Sequence, residues 1–566
     1  MASLTAKVIH GKTYYYAREC QRVNGKPRIV RTVYLGSADD LIAAALKHRQ
    51  DRTPQPQSVD IAAFGDVAAL YDLAQQIGLI ELLDRHLPKR DQGLSVGQYL
   101  LLAAVNRAVH PTSKLRFADW YRSTALPRLL PATASQLSSQ SFWNHLDVIT
   151  EQHIAAAERE LSQRLIAKFQ LSLRTLTYDG TNFFSFMDTR TAAELPQRGH
   201  NKQKRNDLRQ VSLGMLVSTD FHVPLFHKVY AGNVNDCTIF ETVSEELRVR
   251  YQELARDCEH ITLIFDKGNN GDKAFTTLDT AGFHFIGSLV PSHHADLLNV
   301  PGSRYQPLAG ERLEHVRAYR TKKVIYGQER TIVVTHNDNL LHGQLQGLTS
   351  ALDKARSKLR DIQAKLRRRR EGRTRGGKAP TAASILKQAQ EALAGQHVKT
   401  VLHVQVADGK VPTLSFETDQ AALSRVIDKH LGKTILFTDN DDWSDEDIVL
   451  GYRSQHHIED AFRQMKHPHY LGWQPMYHWT DSKIRAHAFI CVLALTLSSL
   501  LQRTLHQKGI DLSLPRMLEL LGGIRETLVI YPKKQGQRHP TTVRSLSTLN
   551  SEQEQLLNVL DLRRYL

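Results

Sequence analysis

Cysteine is scarce in this 566-residue chain: Cys20, Cys237, Cys258 and Cys491 lie far apart, and no two form a Cys-x2-Cys pair. That spacing argues against a disulfide framework or a thiolate zinc site and fits a reducing cytoplasm. Long apolar runs are also missing. The longest, Ala488 to Leu501, falls short of the roughly 20 residues a bilayer span requires and reads as a buried helix. The opening MASLTAKVIHGKTYYY has no apolar stretch of the signal-peptide kind, so no membrane partner is expected. Neither G-x-x-x-x-G-K-[ST] nor G-x-S-x-G occurs, which disfavours a P-loop nucleotide motor and a serine hydrolase. Acidic residues are outnumbered, 58 against 74 Lys and Arg, leaving a net charge of +16. Such a balance favours polyanionic partners by raising encounter rates and releasing counterions.

The length predicts several domains. Alternation of apolar and polar residues around Asn24-Gly25, with Tyr14 to Ala17 before and Arg28 to Leu35 after, predicts a β-hairpin. From Ile61 to about Phe169 the apolar spacing becomes three and four, as in Leu79, Leu82 and Leu83, which predicts helices. From Leu173 short β-rich runs follow: LRTLTYD, VSLGMLVS and PLFHKVYAG, then a helical Thr238 to Leu254, then ITLIFD and FHFIGSLV. Three strands, a helix and two strands fit a mixed α/β sheet. Leu345, Leu348, Leu352, Ala355, Leu359, Ile362 and Leu366 make a three-heptad seam, broken at Gly372 to Gly377 and resumed at Ser384 to Ala394. This predicts a helical hairpin inserted between strands. After VLHVQV, TLSFET and TILFTD a helix is predicted from Ser444, capped with Asp447. The tail mixes a helix, Leu514 to Leu521, with strands such as TLVIY.

Two of the β-rich runs end alike, LRTLTYDG on Asp179 and ITLIFDKG on Asp266. On adjacent parallel strands both carboxylates would leave one sheet edge, where like charges raise each other's pKa unless a divalent cation neutralises them. Hard oxygen ligands select Mg²⁺ or Mn²⁺. A third acid is sought on the predicted helix Ser444 to Lys466, where Tyr452, Gln455, Glu459 and Lys466 share one face. Taken singly, a strand-end acid is ordinarily a solvated turn residue, and a Tyr, Glu, Lys stripe a wet helix face. An imidazole metal site using His456 with Glu459, or His467 with His469, competes with ordinary surface histidines.

The segment Tyr452-x2-Gln455-x3-Glu459-x6-Lys466 resembles the Tyr-x2-Arg-x3-Glu-x6-Lys signature of insertion-sequence DDE transposases. GKPRIVRTVYLG, NRAVHPTSK, DLRQVSLGMLVS, YAGNVNDCT, TDNDDWSDEDIVLGY and HAFICVLALTL are similar to the bacterial branch with an N-terminal hairpin domain, over about residues 10 to 505. The resemblance implies an α/β fold: a ribonuclease H-like catalytic domain interrupted by a large mixed α/β insertion, after a small N-terminal β unit and a helical DNA-binding region. The expected boundaries are 1–60 for the β unit, 61–170 for the helical DNA-binding and dimerisation region, and 171–295 for the first part of the core. The insertion follows over 296–432, the second core part over 433–505 and a C-terminal region over 506–566.

The resemblance further implies that Asp179, Asp266 and Glu459 are the catalytic acids and hold two Mg²⁺ or Mn²⁺ ions. Tyr452, Gln455, Lys466, Arg453 and Arg463 are then the expected DNA-binding residues. The implied partners are double-stranded DNA, as transposon ends and target, and a second copy of the chain on paired ends. The implied location is a bacterial cytoplasm, on the nucleoid. Gln455 departs from the signature, exchanging the charge-assisted fork of Arg for a neutral amide. Relatives commonly have a β-rich insertion, whereas a helical hairpin is predicted here.

Other segments have two readings. Asn233 and Asp236 of YAGNVND either support the site or, for Asp236, cap a helix. The basic run Lys354 to Lys378 is either a solvated helix face or a DNA contact. The aromatic and histidine residues of HPHYLGWQPMYHW either stack on bases or, as expected for Trp473, pack into the core. Rival functions are a ribonuclease H-like nuclease without strand transfer and a domesticated transposase acting only as a DNA-binding protein. The latter predicts a damaged acid set, and all three acids are present.

Overall fold

The structure, a computed structural model, describes residues 2–566 except 24–25, 53–54, 188–190, 202, 235–237, 239–242, 244–245, 248, 251–259, 282–283, 375, 377–378 and 534–538. The turn Asn24-Gly25, Asp236, Cys237, Cys258 and most of the predicted helix Thr238 to Leu254 lie outside the described residues. The chain divides into two compact units, Met1–Ala68 with Asp119–Pro131 and Glu519–Leu566, and Ala69–Ala118 with Ala132–Leu518.

In the first unit, β1 (Ala2–Ile9), β2 (Lys12–Val23) and β3 (Lys26–Gly36) form an antiparallel sheet, so the predicted hairpin gains a third strand. Ile61, expected to open the helical region, instead lies in β4 (Ser58–Ala63). The correction has a long-range cause. β4 pairs with β16 (Arg525–Ile530), which pairs in turn with β17 (Thr542–Leu546). No local pattern can announce a partner that arrives more than 450 residues later. Buried Glu526 on β16 accepts from Arg128, 2.8 Å away, and pairs with Arg544.

The second unit is built around nine strands in the order β10-β11-β12-β15-β9-β8-β5-β6-β7. They are β5 (Thr175–Ser185), β6 (Arg209–Ser218), β7 (Pro224–Ala231), β8 (Thr262–Ile264), β9 (His284–Leu289), β10 (Gln306–Pro307), β11 (Val316–Ile325), β12 (Gln328–Asn337) and β15 (Lys433–Thr438). Only β5 with β8 and β8 with β9 are parallel. Beyond residue 296, β11 and β12 continue the sheet antiparallel, and a helical segment follows them. That segment holds the heptad helix Asp338–Arg370, the helix Ala382–Ala392 and the ribbon of β13 (Leu402–Ala407) and β14 (Thr413–Thr418). The seam is buried from Leu348 to Leu366 in a core of its own with Ile385, Val401 and Leu414.

The predicted buried helix is Asp481–Gln507, long and apolar enough by composition to cross a membrane, with 94% of its apolar window inside the protein. It packs against the helix Val96–Val109 and β7. The helix Glu151–Phe169 packs on the same strand and brings Glu158 to it. Glu158 accepts from Arg250 at 3.0 Å and lies 2.5 Å from His227 Nδ1, and all three side chains are buried.

Burial also lowers several histidines, fully buried His487 well below its ordinary value. Desolvation pushes His222 and His478 from 6.5 down to about 3, and His457 to about 4. A base with a depressed folded pKa adds stability above its unfolded value, lost as pH falls from about 6.5 towards those lower values. Asp66, pushed up to about 6 by burial, and Asp439, also raised by burial, oppose the trend. The denaturant midpoint is therefore expected to fall steadily between pH 7 and pH 4, and His478→Gln to flatten the slope. A midpoint constant over that range would contradict the assignment.

Candidate active site

The first carboxylate is positioned by ladder geometry. β5 and β8 run parallel with Thr177 opposite Ile264, so Asp179 and Asp266 each lie two residues past that pair (179 − 177 = 2; 266 − 264 = 2). Asp179 is not at a strand tip, as expected from sequence, because β5 continues to Ser185 in a hairpin with β6. Asp266 lies beyond β8, where a 3₁₀ turn, Lys267–Asn269, begins. Behind Asp179, Gly214 of β6 allows the close approach of Tyr178: a Cβ there would meet the phenol oxygen at 2.5 Å.

The third acid rests on an amphipathic helix, but the single predicted helix Ser444 to Lys466 is two, Asp445–Arg453 and His456–Met465. Ser444 caps the first by accepting from Asp447 N–H at 3.0 Å. Its end is closed by the Ser454 N–H bonding back to Leu450 and Gly451, while the Ser454 hydroxyl donates to the Gly451 carbonyl. Such tight i−3 bonds end a helix without Gly or Pro. The break separates Tyr452, on the first helix, from Gln455, Glu459 and Lys466, which still line one cavity. In the second helix Ile458, Ala461, Phe462 and Met465 are buried, and the helix packs on β5 and β6. Glu459 is left exposed beside that seam, while Asp179 and Asp266 are half-buried.

Asp179, Asp266, Glu459, Gln455 and Lys466 line one cavity of about 380 Å³. The Lys466 amine donates to the Thr181 hydroxyl at 2.6 Å and lies 5.3 Å from the centre of the Phe183 ring. Phe183 stacks in turn on Trp473, 4.2 Å away and buried as expected. Tyr452 is not part of the lining. Its hydroxyl donates to Ser288 Oγ at 2.9 Å and, more weakly, to Asp266 at 3.4 Å. Burial first, then the negative charge of Asp266, push Tyr452 up to about 12, which keeps it a donor at neutral pH. Arg453 donates to the Arg312 carbonyl at 2.6 Å, and Arg463 pairs with Asp460 at the surface; neither lines the cavity. Exposed Asn233 is not in the lining either.

Ser288 and Asn269 were not singled out from sequence. Ser288 reaches Asp266, at 3.4 Å, only because β9 lies beside β8, a relation with no local signal. Asn269 has one, its position three after Asp266. A larger cavity, about 530 Å³, lies over Glu158, His227 and Arg250, but those groups satisfy one another. Among the described residues no three His, Cys, Asp or Glu are close enough together to hold a metal ion, and this includes the histidine combinations considered from sequence. In kind the cavity's donors, three carboxylates and several amides, suit a hard divalent cation. They are not gathered into a ligand set.

No curated protein matches the chain. Among solved structures, a piggyBac transposase synaptic complex with hairpin DNA is similar at 10% identity over 82% of each chain, with a TM-score of 0.35. That likeness is too distant to carry an argument about fold or residues. The family model described as a transposase DDE domain matches residues 184–497, which is 497 − 184 + 1 = 314 of 566 residues. The matched span includes Asp266 and Glu459 and begins five residues after Asp179. With more than half of its length matched, the chain belongs to the DDE-domain transposase family and is a DNA transposase.

Proposed function

We propose that the protein is the transposase of a bacterial insertion sequence, of the branch with an N-terminal hairpin domain. In this reading it binds the terminal inverted repeats of its element, cuts to free 3′-OH ends and joins them to target DNA. Residues 171–295 and 433–505 make a ribonuclease H-like core, 296–432 its insertion, and 1–170 the end-binding and dimerisation regions. Two copies act on paired ends in the cytoplasm, at the nucleoid. The observation that carries the reading is the equal offset of Asp179 and Asp266 on neighbouring parallel strands, with Glu459 on the same cavity.

Two divalent cations, when bound, supply activation of the attacking oxygen and stabilisation of the leaving one. The chain's own residues do the rest. Asp179, Asp266 and Glu459 provide the negative oxygen ligands. Tyr452 and Ser288 hold Asp266 in place by donating to it, and Lys466 sets a cation beside Thr181 at the cavity wall, where a phosphate of the DNA end would lie. Because the same cavity admits either a water or a 3′-hydroxyl as the attacking oxygen, cutting and joining use one set of side chains.

The test is a duplex carrying the element's terminal repeat, incubated with protein, Mg²⁺ and a target plasmid. Cleavage together with joined product supports the proposal. Cleavage without joining would make the protein a nuclease, and binding alone would make it a DNA-binding protein. In the same assay Lys466→Ala is expected to weaken end binding severalfold and to lower the slope of log K against log salt by about one. An unchanged salt slope would remove Lys466 from the DNA.

A further inference from the structure

The turn after β8 carries two buried amide oxygens without a hydrogen-bond donor among the described residues, Asn269 Oδ1 and Asn270 Oδ1. Asn269 donates its backbone N–H to the carbonyl of Asp266 at 3.0 Å, which closes the Lys267–Asn269 turn and folds Asn269 back beside that acid. Its side chain is only 2% exposed, yet it lines the cavity shared by Asp179, Asp266 and Glu459. The amide of the next residue, Asn270, donates to the Ser288 carbonyl at 2.8 Å. Asn269 Oδ1 and Asn270 Oδ1 are both buried and accept no hydrogen bond from the described residues, but of the two residues it is Asn269 that lines the cavity. The Lys466 amine, which shares the cavity, donates to Thr181.

A buried amide oxygen with free lone pairs calls for a donor or a cation. The surrounding oxygens decide between them. Three carboxylates on one cavity repel each other, and a fourth carboxylate would add to that repulsion. A neutral amide oxygen adds a hard ligand without charge, and amide carbonyls are regular ligands of hard divalent cations.

We propose that Asn269 Oδ1 is a further oxygen ligand for the divalent cation held on the Asp266 side of the cavity. This rests on the reading of the three acids as a cation site.

The experiment is Mn²⁺ binding to the full chain without DNA, followed by the electron paramagnetic resonance signal of free Mn²⁺. The variants are Asn269→Ala, Asn269→Asp and Asp266→Ala. Asn269→Ala is expected to weaken Mn²⁺ binding about tenfold, or about 1.4 kcal/mol, with unchanged circular dichroism. Asn269→Asp, which places a charged oxygen at the same point, is expected to bind at least as tightly as the parent. Should Asn269→Ala fail to fold, the Asp variant decides: weaker binding in a folded Asn269→Asp protein overturns the proposal. Parent-like affinity in Asn269→Ala overturns it while leaving the three-acid site standing, provided that Asp266→Ala has lost binding. If the parent binds no better than Asp266→Ala, the cation site and the role of Asn269 fall together.

Discussion

Asp266→Ala is expected to lower both cleavage and joining at least about 10³-fold, since a metal-binding carboxylate underlies several kcal/mol of transition-state stabilisation and each 1.36 kcal/mol is tenfold in rate. The fold should survive the change. Asp266 is half-buried and its recorded side-chain contacts are two long ones, from Tyr452 and Ser288, both at 3.4 Å. Those donors keep each other as partners at 2.9 Å when the acid is gone. The loss should thus appear in single-turnover rate, with thermal midpoint and DNA affinity close to the parent. Asp179→Asn and Glu459→Gln should each cost as much, and a double variant little more than either, because residues acting as one unit are not additive. A tenth of parental cleavage remaining in Asp266→Ala would remove it from the chemistry.

The largest stability effect is expected far from the cavity, at Glu158. Changing it to Gln takes away the carboxylate that the guanidinium of Arg250, 8% exposed as a side chain, meets at 3.0 Å. Removing one partner of a buried ion pair costs about 3–5 kcal/mol, whereas a pair at the surface is worth about 0–1 kcal/mol. Burial decides which figure applies, and here both partners are buried. His227, against the same carboxylate and stacked on Phe489 at 5.7 Å, loses its partner as well. Guanidinium denaturation of Glu158→Gln should show the loss, and Glu158→Gln with Arg250→Met should recover part of it, since the buried cation is then removed along with its carboxylate. A change under about 1 kcal/mol in the single variant would mean that water reaches the pair.

The contrast between these two sites shows what the sequence made legible. Asp179 and Asp266 stood out because LRTLTYD and ITLIFD are β-rich runs ending on an acid, a pattern that needs only one strand to be seen. The heptad seam from Leu345 to Leu366 was equally local, and the buried helix at 481–507 was visible as an apolar stretch. The length of β5 was hidden, because DGTNFFS reads as a turn until β6 supplies its ladder. The break at Ser454 and Gln455 was hidden too: neither residue is a helix breaker, and packing of two separate apolar faces overrides local propensity there. Tyr452 shared the signature with Glu459, but its hydroxyl is taken up by Ser288 and by Asp266 at the edge of the cavity. Ser288, Glu158 and His227 owe their partners to strand and helix neighbours distant in the chain, which no window of sequence contains.

The placement of β15 within the sheet sets a timetable on the ribosome. Its neighbours β12 and β9 are made first, and β9 ends 433 − 289 = 144 residues before β15 begins. Until then two inner strands of the sheet have open edges, while the helical insertion, which has its own core, folds in the interval. Glu459 follows Asp179 by 459 − 179 = 280 residues, about 15 to 60 s of synthesis at ordinary elongation rates. Glu459 follows Asp266 by 459 − 266 = 193 residues, about 10 to 40 s at the same rates, so on the proposed reading a nascent chain carries two of its three acids for that interval without being able to cut the DNA around it.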